Sequence, residues 1–334
     1  MDAFFTQTSY DERAWTFGDL TVRAGCSNAA STDYDLTGQV PWPALTVLGH
    51  WLASAHGARL VTARSCLELG AGIGVTGLLA AAQRCSSLTL TDHNSYIVEL
   101  LDQNIELNEE LYLHMAETPA AVELDWETPP PPPEALHLYA EEEQEEAEQD
   151  PARLGFGVIL ASDCLYCEAA VKPLFDTAMH WLAADGVWVM AHIARWDNVE
   201  DALAAELARR PELVVEEVDL STFLPHAMPG YVPPEGDKGV IGMLRVPVAA
   251  AGEPAEAAAA AAVNGTDAKD DGEDAEAEAV ETGVDGHSLK DCHVRLIRWV
   301  GGVKPPAAVL AAAREARPEA APELAPEPEP EAAA

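Results

Sequence analysis

The stretch Cys66–Leu79, CLELGAGIGVTGLL, constrains the fold more than any other part of the chain. A short apolar run reaches Glu68, glycines follow at Gly70, Gly72, Gly74 and Gly77, and an apolar helix-like run takes over. Glycines in such a break serve a backbone that turns where a Cβ would clash, or that approaches a ligand closely. Strand before and helix after put that ligand at a helix N-terminus.

The surrounding pattern extends this unit into a sheet. Residues Ser65–Leu69, Ser87–Thr91, Ala121–Leu124, Gly157–Ala161, Gly186–His192 and Leu213–Asp219 read as strands. Between them, Gly74–Arg84, Ser95–Asn108, Ala169–Ala183 and Asn198–Arg209 read as helices, and one more is expected over Ala44–His56. Alternating strands and helices, with apolar strands, predict a mostly parallel sheet covered on both faces. Cys292–Val300 returns with strand character as the last strand. Residues 1–36 are expected to be irregular.

Charge is uneven along the chain. Against 19 lysines and arginines stand 57 aspartates and glutamates, a net charge of −38. Residues 138–150, 251–287 and 314–334 together carry −21 of it, so most of the acidity falls in segments with few large apolar residues. Such segments bury too little to offset their ordering entropy and are expected to be disordered. The expected organisation is therefore a domain over 37–247 with a proline/acidic insertion at 128–152, a disordered insertion at 248–290, a final strand in 291–303 and a disordered tail from 304. An acidic surface disfavours nucleic acid and anionic membrane and favours basic partners.

No apolar run is long enough to cross a membrane. The opening MDAFFTQTSYDERAW has early acids and no basic segment, so it reads as neither signal nor transit peptide. Six cysteines are too few for a disulfide scaffold of this length, and the lone Cys164/Cys167 pair lacks a second pair at zinc spacing, so no metal is expected. A monomer in the cytoplasm or nucleus is the expected setting.

Ligands of open α/β sheets bind at the carboxyl ends of the strands. Those ends carry Glu68 and Gly70, then Asp92, then Asp125-Trp126, then Ser162-Asp163 and Tyr166. Gly72–Gly77 fits the dinucleotide spacing GxGxxG, and Glu68–Gly74 fits ExGxGxG, the form found around S-adenosylmethionine. Asp92 lies about 20 residues past the glycines, where a carboxylate accepts from ribose hydroxyls; the alternative is a helix cap. Trp126 can pack on an adenine ring or in the core. Glu68 tips the choice toward S-adenosylmethionine, since a carboxylate favours a sulfonium and repels a pyrophosphate, and it disfavours an NAD-linked oxidoreductase.

Together TGQVPW (Thr37–Trp42), LELGAGIGVTGL (Leu67–Leu78), LTDHN (Leu90–Asn94), LDW (Leu124–Trp126) and ASDCLY (Ala161–Tyr166) resemble the seven-strand S-adenosylmethionine-dependent methyltransferases. They are most similar to the protein-lysine methyltransferase branch with a D-x-x-Y motif after the fourth strand. The resemblance implies a Rossmann-like seven-stranded sheet whose last strand is antiparallel. It implies cofactor contacts from Trp42, Gly70, Ala71, Gly72, Asp92, Trp126 and Ser162, with Glu68 nearby, and catalytic roles for Asp163 and Tyr166. Asp163 is expected to attract and orient an incoming lysine ammonium, and Tyr166 to offer an oxygen and a ring face. The alternatives are another acceptor (a protein histidine or arginine, or a small molecule) and a binding protein without turnover.

Overall fold

The apolar runs lie side by side in a computed structural model, which describes residues 10–27, 34–127, 155–224 and 292–305. The strands are β1 (Asp11–Phe17), β2 (Leu20–Cys26), β3 (Ser65–Leu69), β4 (Ser87–Asp92), β5 (Ala120–Glu123), β6 (Phe156–Ser162), β7 (Leu182–Ile193), β8 (Leu213–Glu217) and β9 (Cys292–Trp299). The helices are α1 (Ala44–Ala53), α2 (Ala55–Val61), α3 (Val75–Ala82), α4 (Ser95–Glu106), α5 (Glu168–Trp181) and α6 (Asp197–Ala208). The segments 128–152 and 248–290, and the tail beyond 305, lie outside the described residues. Among the described residues no helix is long and apolar enough to cross a membrane.

Among the described residues, seven strands form one sheet in the order β5-β4-β3-β6-β7-β9-β8. The pairs β3–β4, β3–β6, β4–β5 and β6–β7 are parallel, while β9 runs antiparallel between β7 and β8. This is the expected Rossmann-like sheet with its last strand reversed. Cys66, Leu67 and Leu69 of β3 and Val158, Ile159 and Leu160 of β6 are fully buried, as central strands covered on both faces must be. The chain builds outward from β3 through β4 to β5, then returns to the other side of β3 to lay down β6. That reversal brings the carboxyl ends of β3 and β6 together at a crevice, the place where such sheets take ligands.

Two segments differ from the sequence expectation. The helix expected over Ala44–His56 is two helices. Ser54 ends α1 and caps α2: its hydroxyl accepts from the Gly57 N–H at 3.2 Å and donates to the Trp51 carbonyl at 2.6 Å. Residues 11–26, expected to be irregular, form the antiparallel hairpin β1–β2. β1 escaped notice because most of it is exposed, so no apolar alternation marks it. β2 does alternate, with Val22 and Ala24 fully buried on either side of exposed Arg23.

The hairpin is held by helix α4. Asn104 Oδ1 accepts from the Gly25 N–H at 2.7 Å, and its amide donates to the Gly25 carbonyl at 3.3 Å and the Ile73 carbonyl at 2.9 Å. One turn on, Asn108 Oδ1 accepts from the Arg23 N–H at 2.9 Å and its amide donates to the Arg23 carbonyl at 2.6 Å. Asn104 lies in the last turn of α4 and Asn108 two residues past its end, and together they meet alternate residues of β2 as a paired strand would. Asn104 is fully buried with three of its polar contacts made to backbone.

Asn104→Leu should therefore leave three backbone groups unpaired and cost about 2–4 kcal/mol in urea unfolding. Glu110→Ala, which removes an exposed ion pair to Arg23, should cost less than about 1 kcal/mol. Equal effects would show that the asparagine ladder carries no special weight.

Candidate functional site

β3 ends at Leu69, and the chain turns through Gly70 at φ +61° and Gly72 at φ +54° before α3 starts. A Cβ at Gly70 would stand 2.9 Å from the Cys164 sulfur and 3.2 Å from the Trp126 ring; one at Gly72 would stand 3.0 Å from the Gly38 carbonyl oxygen. These two glycines let three other segments converge: the ends of β5 and β6 and the turn before α1. Between them, the Ala71 N–H donates to the Thr91 carbonyl at 2.8 Å, tying the loop to β4.

Glu68 is buried beneath this loop. Its carboxylate accepts from the Thr76 hydroxyl and, at 2.8 Å, from the Gly77 N–H, both in the first turn of α3. Burial pushes its pKa up to about 8; the Gly77 N–H pulls the other way and the nearby Asp92 pushes further up. Its oxygens thus engage the helix N-terminus, where a dinucleotide fold needs free donors for a pyrophosphate.

Asp92 closes β4. One oxygen accepts from the Gly72 N–H at 3.2 Å, the other from the Asn94 N–H at 3.3 Å. The cap of α4 is Asn94, which accepts from the Tyr96 N–H at 2.9 Å, so Asp92 does not serve as that cap. His93 Nδ1 lies 3.3 Å from Asp92 Oδ1. Trp42 is fixed by its indole N–H donating to the Thr37 carbonyl at 3.0 Å. The Ser162 hydroxyl is enclosed, with no hydrogen-bond partner among the described residues.

Past β6, Asp163 adopts φ +60°, a conformation few residues other than glycine take. Its N–H donates to the Ala191 carbonyl at 2.7 Å. The carboxylate is fully enclosed and is met by both terminal nitrogens of Arg195 at 2.6 and 2.7 Å, with the Ile193 N–H 3.4 Å from Oδ1. The sequence expectation that this carboxylate receives an incoming ammonium runs against this arrangement, because a guanidinium from the end of β7 already takes both oxygens. The cap position of α5 belongs to Cys167, so Asp163 does not cap that helix. The Arg195 guanidinium also lies over the Trp42 ring, 5.6 Å from its centre. The Cys164 thiol donates to the Leu69 carbonyl at 3.1 Å; burial first, then Glu68, Asp163 and Asp92, hold its pKa well up, so it packs as a neutral thiol.

One cavity of about 570 Å³ joins these parts, within the range of small-molecule sites. Its walls include every residue singled out from the sequence: Trp42, Glu68, Gly70, Ala71, Gly72, Asp92, Trp126, Ser162, Asp163 and Tyr166. They also include Thr37, Gly38 and His93, which belong to the TGQVPW and LTDHN motifs, and Arg195 and Trp196, which sequence reasoning passed over. Tyr166 and Trp196, both about half exposed, stand on its wall. Arg195 and Trp196 had a signal: they follow the apolar run of β7, as Asp92 follows the apolar run of β4.

A family model described as lysine methyltransferase matches residues 29–204. A protein-lysine N-methyltransferase, rrg1, of Schizosaccharomyces pombe is 30% identical over 139 residues, 41% of this chain and 41% of its own length. A calmodulin-lysine N-methyltransferase of Arabidopsis thaliana is 29% identical over 152 residues, 45% of this chain and 43% of its own. The chain thus spans less than half the length of these relatives. Among solved structures, a 16S rRNA N2 G1207 methyltransferase of T. thermophilus aligns with a TM-score of 0.42 at 15% identity, over 63% of this chain and 47% of its own.

The pKa of Glu68 makes a stability prediction. A carboxyl raised from 4.5 to about 8 on folding binds its proton more tightly in the native state. Its contribution to stability is therefore greatest below about pH 4.5 and falls as pH rises through about 8. Glu68→Gln removes this titration and keeps an acceptor for Gly77. Between pH 5 and 9 the variant should gain on the parent by on the order of 2–4 kcal/mol in urea unfolding. Parallel pH profiles would overturn the assignment.

Proposed function

The chain belongs to the lysine methyltransferase family, and from that premise we propose that it is an S-adenosylmethionine-dependent enzyme that methylates a lysine side chain of a protein. The observation that carries this reading is the single cavity into which the glycine loop, Asp92, Trp126 and Ser162 open beside Asp163 and Tyr166.

The residues present fit the cofactor. Asp92, held by the N–H groups of Gly72 and Asn94, offers a fixed carboxylate to ribose hydroxyls. Trp126 packs where Gly70 leaves room and offers an indole beside the adenine, and the buried Ser162 hydroxyl has hydrogen-bonding capacity to give. Trp42 and the loop through Ala71 supply the remaining wall. When bound, the cofactor supplies a methyl group on a sulfonium. The protein's task is then to hold a lysine amine in line and exclude competing water. Tyr166, on the wall next to Asp163, is suited to flank that amine with its hydroxyl and ring face.

The acceptor is a protein lysine in this reading because the matching family is of lysine methyltransferases; histidine, arginine and small-molecule acceptors are the competing outcomes. The net charge of −38 supports a basic partner surface, steered less well at high salt. All six cysteines are free thiols, which supports a reducing compartment, cytoplasmic or nuclear, and a single chain is the proposed working form.

The test is incubation of a proteome extract with methyl-labelled S-adenosylmethionine, followed by mapping of the labelled side chain. Label on lysine supports the reading; label on histidine or arginine transfers it to another acceptor. Binding of the cofactor without any label would make this a binding protein. Asp92→Ala should weaken S-adenosylmethionine binding at least about tenfold by calorimetry while leaving the fold intact, the size expected for hydrogen bonds to a charged group. Unchanged affinity would remove Asp92 from the ribose site.

A further inference from the structure

Resting on the proposed methyl transfer, one feature of the cavity goes beyond it. Its wall, to which Tyr166 also belongs, contains a carboxylate already matched by a guanidinium. Asp163 is fully enclosed, and Arg195, only 7% exposed, meets it with two parallel hydrogen bonds of 2.6 and 2.7 Å. Such a forked pair is strong and geometrically fixed. It is also costly to break, since either partner alone would be a buried uncompensated charge.

The other ionisable groups around the pair do not change its balance. Cys292 faces it from β9; burial first, then Asp163, push its thiol far up while Arg195 opposes, so it stays neutral. Cys164, next in sequence to Asp163, is held neutral in the same way. Glu68 from β3 is raised to about 8 by burial. Asp92, from β4, is met by the N–H groups of Gly72 and Asn94, with His93 Nδ1 at 3.3 Å; Asp125 and Glu127, past β5, also line the cavity, and Asp125 accepts from the Glu127 N–H at 2.9 Å.

We propose that Arg195 is the charge-setting residue of this wall: by closing on Asp163 it keeps the acceptor end neutral, so that the cavity does not trap a cation there. A lysine accepts a methyl group only through the lone pair of its neutral amine, and an open carboxylate beside it would hold it as ammonium. An open carboxylate would also tighten the charged methyl donor against its uncharged product. Arg195 acts through Asp163 and Trp42, so it is a positioning residue.

S-adenosylmethionine and S-adenosylhomocysteine read this charge directly, because they differ by one methyl group and one positive charge. Calorimetry on the full chain gives the ratio of their affinities without any protein substrate. Arg195→Met should expose the Asp163 charge and shift the ratio toward S-adenosylmethionine by about three- to tenfold, the size of a unit charge acting across a partly solvated site. Asp163→Asn should leave Arg195 uncompensated and shift the ratio the opposite way by a similar factor. The double variant Asp163→Asn/Arg195→Met should return to the parent ratio. Should Arg195→Met fail to fold, Asp163→Asn and the double variant still decide. If both affinities fall together and the ratio stays at the parent value in every folded variant, Arg195 is merely structural and the proposal is overturned. If the parent binds neither compound, the methyltransferase reading itself fails, and this proposal with it.

Discussion

At Gly70 and Gly72 the backbone runs in the left-handed region, and a side chain at either would press on a neighbouring segment. The rest of the site depends on that bare stretch. Because Gly70 has no Cβ, Cys164 and Trp126 close over it from the ends of two different strands. Because Gly72 has none, the turn through Gly38 closes from the other side, and its own N–H reaches Asp92. The sheet supplies the crevice through its strand order; these two residues decide how tightly its walls draw together.

Among the carboxylates that line the cavity, the fold treats Glu68, Asp92 and Asp163 each differently. Glu68 is buried until it favours its proton and is spent on the first turn of α3. Asp92 is held by backbone N–H groups, which orient it without cancelling its charge. Asp163 is matched by a guanidinium. Three acids of similar intrinsic chemistry thereby acquire three roles, set by partner and not by residue type.

Much of this was legible beforehand. The alternation of apolar strands and helices predicts the sheet, and the residues just past each strand name the cavity walls, because strand ends converge in this topology. What escaped was information carried by pairs of distant residues. Nothing local marks Asp163 as enclosed; that follows from Arg195, 32 residues away. Nothing local marks Asn104 as a link between the hairpin and the glycine loop, since its partners Gly25 and Ile73 come from elsewhere in the chain. The exposed strand β1 was hidden for a different reason: it buries little, and so leaves no hydrophobic signature.

The asparagine ladder against β2 is built across a helix end. α4 stops at Glu106, so Asn104 reaches Gly25 from the last helical turn, while Asn108, at φ −124° and ψ 30°, reaches Arg23 from the turn that follows. In a continued helix the second asparagine would point about 40° away from the first. The two asparagines gauge the hairpin at Arg23 and Gly25, and a one-residue slip in β2 would turn its alternating faces over and offer both asparagines backbone groups aimed the wrong way. Since Asn104 also grips Ile73 inside the glycine loop, the register of a strand remote in sequence acts as a ruler against which that loop is set.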